Sequence, residues 1–331
     1  MTQKRPTRMS LMLSSAVPPD QTLAVARSAE RSRYARLWIT EDYFRKGAFS
    51  TAGAVLAATG GIEVGLGIAS AYVRSPATFA MEIATLDAMF PGRFAAGIGL
   101  GSPRALDALG RRPDKAIGSL TGRLRTLRGL LAGADTRWRD EFDTLDGVRL
   151  DYPATTPPRL WVAAESPQML RLAARESDGL ILSALSSPGY VSWVREEIAP
   201  ALAKRGVEPP IAAFVYTSVH EDEEVAFRNA RELVAARLAS GRAAPTLARS
   251  GLWAEVEPLL GRPVDDVRQR LRPEVVGSFV AYGTVESCGE RLLAYAAAGV
   301  DEIALAPIPV AGKLHLTEVM PLLARFVPAT Q

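Results

Sequence analysis

The chain has 331 residues, 48% of them hydrophobic and 23% charged, with 39 Lys and Arg against 36 Asp and Glu for a net charge of +3. That is a globular composition, long enough for two ordinary domains or one large α/β barrel. The positive residues are scattered without interleaved aromatics, even in the Arg-rich "TGRLRTLRGL", which excludes the footprint of a nucleic-acid-binding protein. The single cysteine, Cys288, allows no intrachain disulfide and fits a reducing compartment. No stretch approaches the ~20 apolar residues of a membrane span, and the apolar run near the N-terminus is too short for a signal peptide. A soluble, cytoplasmic protein with no membrane or nucleic-acid partner is expected.

Short apolar runs alternate with helical patterns. "MSLML" (9–13) reads as a strand, followed by a helix over about 19–34. "RLWIT" (36–40) is the second strand, and "FSTAGAVLAATG" supplies the next helix. "IEVGLGI" (62–68) is the third strand, with a helix from Pro76 to about Met89 that has proline in its first turn. "RFAAGIG" (93–99) is the fourth strand, and a helix follows over roughly 114–132. The segment "RWRDEFDTLDGVRLDYPATTPP" then reads as a hairpin turning at Asp146-Gly147, with a Pro-rich connection behind it. Alternation resumes with "RLWVAA" (159–164), a helix from Pro167, "DGLILS" (178–183), a helix over 189–205, "IAAFVYTSV" (211–219) and a helix over 221–240. The segment 241–283 reads as irregular, without a clean strand, and should cover the site. A helix over 285–298, the strand "EIALAPI" (302–308) and a helix near 314–326 close the chain.

Strands buried on both faces read as continuous apolar runs, and these mostly do. Eight β-α repeats with insertions near 135–157 and 241–283 predict one (β/α)8 TIM barrel domain over 1–331 rather than an open doubly wound sheet. The stretch "GRFAAGIGLGSP" (92–103) tests that choice. Gly97 and Gly99 match a dinucleotide fingerprint, but its third glycine position holds Ser102, and the motif follows the fourth strand instead of the first. In a barrel the same glycines lie at the C-terminal end of a strand, on the catalytic face. Ser102 before Pro103 also suits a plain helix start.

Other strand ends should meet at that mouth. "TEDYF" brings Glu41, Asp42 and Tyr43, and two adjacent carboxylates there could bind a polar ring edge or move a proton. The plain alternative is a turn cap by Asp42 and a solvated Glu41. "GIASAYVRSP" brings Ser70, Tyr72 and Arg74, or else an ordinary loop with Arg74 paired at the surface. "AAESP" puts Glu165 and Ser166 before a helix whose free N–H groups would suit a phosphate, or simply makes Ser166 an N-cap. His220 and His315, the two histidines, read as surface or capping residues, and Cys288 as a small buried hydrophobe. No metal cluster, Ser-His-Asp set or P-loop appears. A mouth with glycines and hydroxyls but few ionisable groups points to a cofactor doing the chemistry.

The segments "LWITEDYF", "GIEVGLGIASAYVRSPATFAMEIATLDAMFPGRFAAGIGLG", "PRLWVAAESPQMLRLAARESDGLIL" and "YGTVESCGERLLAYAAAGVDEIALAP" together resemble the bacterial luciferase-like superfamily. Within it, they resemble the deazaflavin (coenzyme F420)-dependent oxidoreductases of the methylene-tetrahydromethanopterin reductase type. The resemblance runs through about 11–307 and implies a barrel with the ring over the strand ends. It also implies a non-prolyl cis peptide at Gly67–Ile68 as a backstop. Gly67, Ile68, Ala69, Ser70, Gly99, Leu100, Gly101 and Ser102 would line the cofactor, and Ala164, Glu165 and Ser166 would meet its phosphate. Asp42, with Tyr43 or Tyr72 nearby, would hydrogen-bond the ring edge or move a proton; a small-molecule substrate and a homodimer are expected.

Three positions depart from the pattern. Tyr43 stands where many relatives have histidine. Ser102 stands where sugar-phosphate dehydrogenases of this kind have a catalytic Glu, which argues against that activity. Glu165 stands where relatives often have a small residue. Two other readings stay open: an FMN-dependent monooxygenase using reduced flavin and oxygen, and a cofactor-binding barrel without catalysis.

Overall fold

The computed structural model describes residues 6–156, 158–241, 245–308 and 316–327. Eight parallel strands follow in chain order: β1 (Arg8–Leu13), β2 (Arg36–Ile39), β3 (Glu63–Leu66), β4 (Phe94–Gly99), β5 (Leu160–Ala163), β6 (Gly179–Leu182), β7 (Ile211–Val219) and β8 (Glu302–Pro307). Each pairs with the next, and β8 pairs back onto β1 from Arg8↔Glu302 to Leu11↔Leu305, so the sheet closes into the expected (β/α)8 barrel. The helices are α1 (Pro19–Arg31), α2 (Ala48–Ala58), α3 (Pro76–Met89), α4 (Ala116–Leu131), α5 (Pro167–Glu176), α6 (Pro188–Arg205), α7 (Glu223–Ala239), α8 (Val285–Ala298) and α9 (Leu316–Leu323). Helices α3, α5 and α6 each begin with Ser-Pro. The serine hydroxyl accepts from the N–H of Thr78, Met169 or Tyr190, and the proline removes a donor that the first turn leaves unpaired. His315 lies outside the described residues.

Side chains alternate across each strand. Leu11, Leu37, Val64, Ile98, Val162 and Leu305 turn outward and join the apolar faces of the helices in the main core. The inward set forms a separate cluster around Trp38, Trp161 and Phe214. The two indoles meet edge to face at 5.3 Å. Gly65 and Gly179 make room for them, since a Cβ at either would sit 2.5 or 2.3 Å from an indole carbon.

Below this aromatic layer, at the strand starts, lies a set of charges that the apolar runs conceal. Arg36 bonds Glu302 at 2.8 Å, both side chains being 3% exposed, and also reaches Glu63, which pairs with Arg8 at 2.6 Å. Burial works to raise the Glu63 carboxyl, yet Arg36 and Arg8 together hold it below the usual carboxylate range.

Both insertions are where they were expected, but each is built differently. The hairpin pairs Thr136–Arg139 with Thr144–Val148, and its turn is 140–143, not Asp146-Gly147. Asp140 caps that turn by accepting from the N–H groups of Phe142 and Asp143, both at 2.9 Å. Gly147, at φ 67°, instead falls where the register slips. The segment 241–283 is not irregular. It holds short helices at Pro245–Ala248, Trp253–Val256, Val264–Arg270 and Pro273–Phe279, and a strand, Val280–Gly283, that pairs with the last four residues of β7. These pack with α7 around their own apolar core, while α8 contributes Cys288, Leu292 and Tyr295 to the main core beside α6. Cys288 is fully buried, as expected, and burial pushes its thiol up to about 12.

Candidate active site at the barrel mouth

In a parallel barrel the loops after the strands form the functional face. Met12, Ile68, Ala163 and Ala184 are partly exposed there and pack onto the Trp38–Trp161–Phe214 layer, forming an apolar floor. The peptide between Gly67 and Ile68 is cis, as the family resemblance implies, and so is Tyr43–Phe44.

Strands β3, β4 and β5 are neighbours, so the loops holding the predicted residues lie side by side. Ala69–Ser70 forms a two-residue strand against Ile98 and Gly99. Ser70 donates to the Leu100 carbonyl at 2.9 Å, and Gly101, at φ 87°, would place a Cβ 2.7 Å from the Ser70 Cβ. Ala69 itself is buried in the main core and presents no side chain to the mouth. Ser102 starts the helix Pro103–Ala108 without a side-chain cap, which leaves its hydroxyl exposed.

The AAESP turn is half as expected. The Ala164 N–H is already bonded to the Ile181 carbonyl at 3.1 Å, so it offers nothing to a phosphate. The N–H groups of Glu165 and Ser166, like those of Leu100, Gly101 and Ser102, have no protein acceptor among the described residues. The Glu165 carboxylate turns away from this row to accept from Ser183 at the end of β6, and its carbonyl accepts from Tyr190 at 2.7 Å. Ser166 caps α5 at 3.4 Å.

Asp42 is exposed and accepts from Ser15 in the loop after β1. Ser15 is in turn held by its N–H on Thr40 Oγ1 at 2.8 Å. Tyr43 is half-buried beside Ser70, and its hydroxyl reaches Glu41 Oε2 at 3.4 Å. Burial, with the Glu41 charge, pushes this phenol up to about 12, so near neutral pH it is a hydrogen-bond donor. Tyr72 does not join it: it is fully buried and donates to the Ala116 carbonyl at 2.7 Å beneath the hairpin. His220 accepts from the Asp222 N–H at 2.9 Å in an exposed turn, the capping role its context suggests. Among the described residues no group of His, Cys, Asp and Glu is arranged to hold a metal ion, and no helix is long and apolar enough to cross a membrane.

Sequence reasoning missed the charge pair in the wall of this mouth. Glu41, expected to be either a carboxylate open to the ring edge or a solvated one, has a side chain only 4% exposed and holds Arg74 through two bonds of 2.8 and 2.6 Å. The available signal was that the two residues follow adjacent strands. Ser15 carried no signal at all, because its partner is set only when β1 and β2 pair.

A closed parallel barrel with an apolar floor and free backbone donors along two adjacent loops defines a protein of the cofactor-using barrel class. The family model described as luciferase-like monooxygenase matches residues 4–302, and the chain belongs to that family. The 5,10-methylenetetrahydromethanopterin reductase of Methanolobus tindarius is 26% identical over 299 residues, covering 87% of this chain and 91% of that protein. Among solved structures, the coenzyme F420-dependent tetrahydromethanopterin reductase of Methanopyrus kandleri superposes with a TM-score of 0.82 at 18% identity, over 98% of this chain and 99% of that one. An F420-dependent secondary alcohol dehydrogenase, solved with an F420-acetone adduct, gives 0.78 at 17% identity over 99% and 100%.

Proposed function

We propose that this chain is an F420-dependent oxidoreductase, moving a hydride between C5 of the deazaflavin and a small organic substrate. The observation that carries this reading is the apolar floor of Met12, Ile68, Ala163 and Ala184 beside free N–H groups at 100–102 and 165–166. A flat ring with an anionic tail fits such a surface: the floor takes the ring face, and the unpaired donors take negative charge. The reductase relatives, together with the two solved structures named as F420-dependent, support the deazaflavin over FMN.

In this reading Gly67, Ile68 and Ser70 back the ring, Gly99, Leu100, Gly101 and Ser102 line its side, and Glu165 and Ser166 serve the phosphate through backbone N–H groups alone. Asp42, oriented by Ser15, accepts a hydrogen bond from the ring edge or substrate. Tyr43, protonated at neutral pH, donates to the substrate atom that gains charge. The protein's main contribution is then orientation of two reactants on a rigid floor. Binding decides between this and the other readings. Titration with F420 and FMN, followed by fluorescence, is expected to give saturable F420 binding and weaker FMN binding. Tight FMN binding without F420 binding would sink the proposal in favour of a flavin monooxygenase, and binding of neither would leave a barrel without this chemistry.

We further infer a single barrel domain acting as a homodimer in the cytoplasm. The single buried thiol suits that compartment. Helix α2 carries no charged residue and turns Ala54 and Ala57 outward, and the neighbouring α3 exposes Met81 (57%) and Met89 (64%). Such an uncharged face fits an interface between copies. Light scattering is expected to give twice the chain mass and, for Ala57→Glu, one chain mass with the fold retained. A monomer in the unaltered protein would refute it.

A further inference from the structure

The backbone around Glu165 is fixed on both sides. The Ala164 N–H is bonded to the Ile181 carbonyl at 3.1 Å, and the Glu165 carbonyl accepts at 2.7 Å from Tyr190, which is fully buried. The N–H groups of Glu165 and Ser166 are left without a protein acceptor among the described residues. The Glu165 side chain is tied as well, because its Oε1 accepts from Ser183 at the end of β6. Its other oxygen has no hydrogen-bond partner, and no Lys or Arg pairs with it, among the described residues. Ala163, two residues earlier, and Ala184, next to Ser183, both belong to the apolar floor. A carboxylate without a countercharge is thus held at the edge of the floor, on the same residue as one of the free donors.

Two plain roles are open to this side chain. Its bond to Ser183 ties the loops after β5 and β6, and a carboxylate just before α5 is favoured by the helix dipole. The first role needs only an acceptor, which an amide oxygen would supply equally. The second is an interaction for which an incoming anion competes, since it draws on the same helix end. Chain geometry keeps the carboxylate within roughly 6 Å of its own N–H, even when it is turned away from the row. An anion bonded to that N–H therefore lies about one screening length from it, ~8 Å in physiological salt, or nearer. Each negative charge on the anion then lowers affinity roughly threefold at the dielectric of a protein surface.

FMN ends in a phosphate monoester, which is close to doubly charged at about pH 8. F420 holds its phosphate as a diester with one charge, and its tail carboxylates come after that phosphate. We propose that Glu165 is a specificity-determining residue: its carboxylate makes the donor row favour a singly charged diester over a doubly charged monoester, and so F420 over FMN. This rests on the reading of the free N–H groups at 165–166 as the seat of the phosphate. It also gives a purpose to a carboxylate standing where relatives often have a small residue.

The test is equilibrium binding of FMN, riboflavin and F420 at about pH 8, each followed by its own fluorescence. The proteins compared are the unaltered chain, Glu165→Gln and Glu165→Ala. Riboflavin has the ring without the phosphate, so it reports on the floor alone. Glu165→Gln keeps an acceptor for Ser183 and removes only the charge. In it riboflavin affinity should not change, F420 should gain roughly threefold and FMN roughly tenfold. A mere loop tie predicts no change for any ligand in Glu165→Gln, and a loss for all three in Glu165→Ala. Even in Glu165→Ala the proposal requires FMN to gain relative to riboflavin. No FMN gain in Glu165→Gln, absence of FMN binding to both proteins included, would overturn it, as would an equal gain for F420 or riboflavin. The unaltered protein judges the reading of the mouth separately. If it binds FMN and not F420, that reading falls, and the charge dependence at Glu165 is still decided by FMN against riboflavin.

Discussion

Gly97→Ala is expected to lose about 3 kcal/mol or more of stability, at the upper end of what overpacking a closed core costs. An added Cβ would lie 1.8 Å from the Leu66 carbonyl oxygen, 3.0 Å from its carbon and 2.8 Å from Ile181 Cδ1. The first two are backbone atoms of β3, and β3 cannot retreat because it is hydrogen-bonded to β2 on its far side. Gly97 is locked by its own pairing with Trp161 in β5. Gly99→Ala is the control: its Cβ would meet the end of the Ile68 side chain at 3.0 Å, which can turn away. Urea denaturation should separate the two, with a large fall in midpoint for Gly97→Ala and a small one for Gly99→Ala. Equal midpoints would show that β3 does give way. Of the glycines in "GRFAAGIGLG", Gly97 is therefore the one required by the crowding of β3 against β4.

Glu302→Ala is expected to cost about 3–5 kcal/mol, the range for removing one partner of a buried charge pair. Glu302 accepts from Arg36 at 2.8 Å, from Ser10 at 2.7 Å and from the Trp38 indole N–H at 2.7 Å. Removing it strands two neutral donors and leaves a guanidinium, 3% exposed, with only Glu63. Glu302→Gln keeps acceptor capacity but loses the charge, so an intermediate loss is expected. Because the pair is buried, the loss should change little between low and high salt, unlike that of the exposed Arg268–Asp265 pair. Thermal and urea unfolding at two salt concentrations measure this. A loss within about 1 kcal/mol, the surface-pair range, would mean that the charges at the strand starts relax into water on mutation.

The errors of sequence reading have one physical source. Asp146-Gly147 looks like a two-residue turn, but the turn forms at 140–143, where Arg123 draws in Asp140 and Asp143. A partner 17 residues away in the chain overrides the local turn preference. The helices within 241–283 span four to seven residues, too few turns for an apolar period to show. Nothing near Glu41 in the chain marks its partner, because only the pairing of β2 with β3 brings Arg74 to it.

The strands, most helix starts and the barrel itself follow from the order of residues, because apolar runs, Ser-Pro starts and glycines express preferences within a few positions of the chain. The predicted residues at 67–70, 99–102 and 164–166 also come together for that reason, since they end consecutive barrel strands. Which groups at that mouth are free, buried or charged was decided only by closure of the sheet. Closure set Ser15 on Asp42, spent the Ala164 N–H on Ile181, turned Tyr72 away beneath the hairpin and clamped Tyr43 through Glu41 and Arg74. Those bonds join residues distant in sequence, and hydrogen bonds of this length exist only once the backbone has placed both partners.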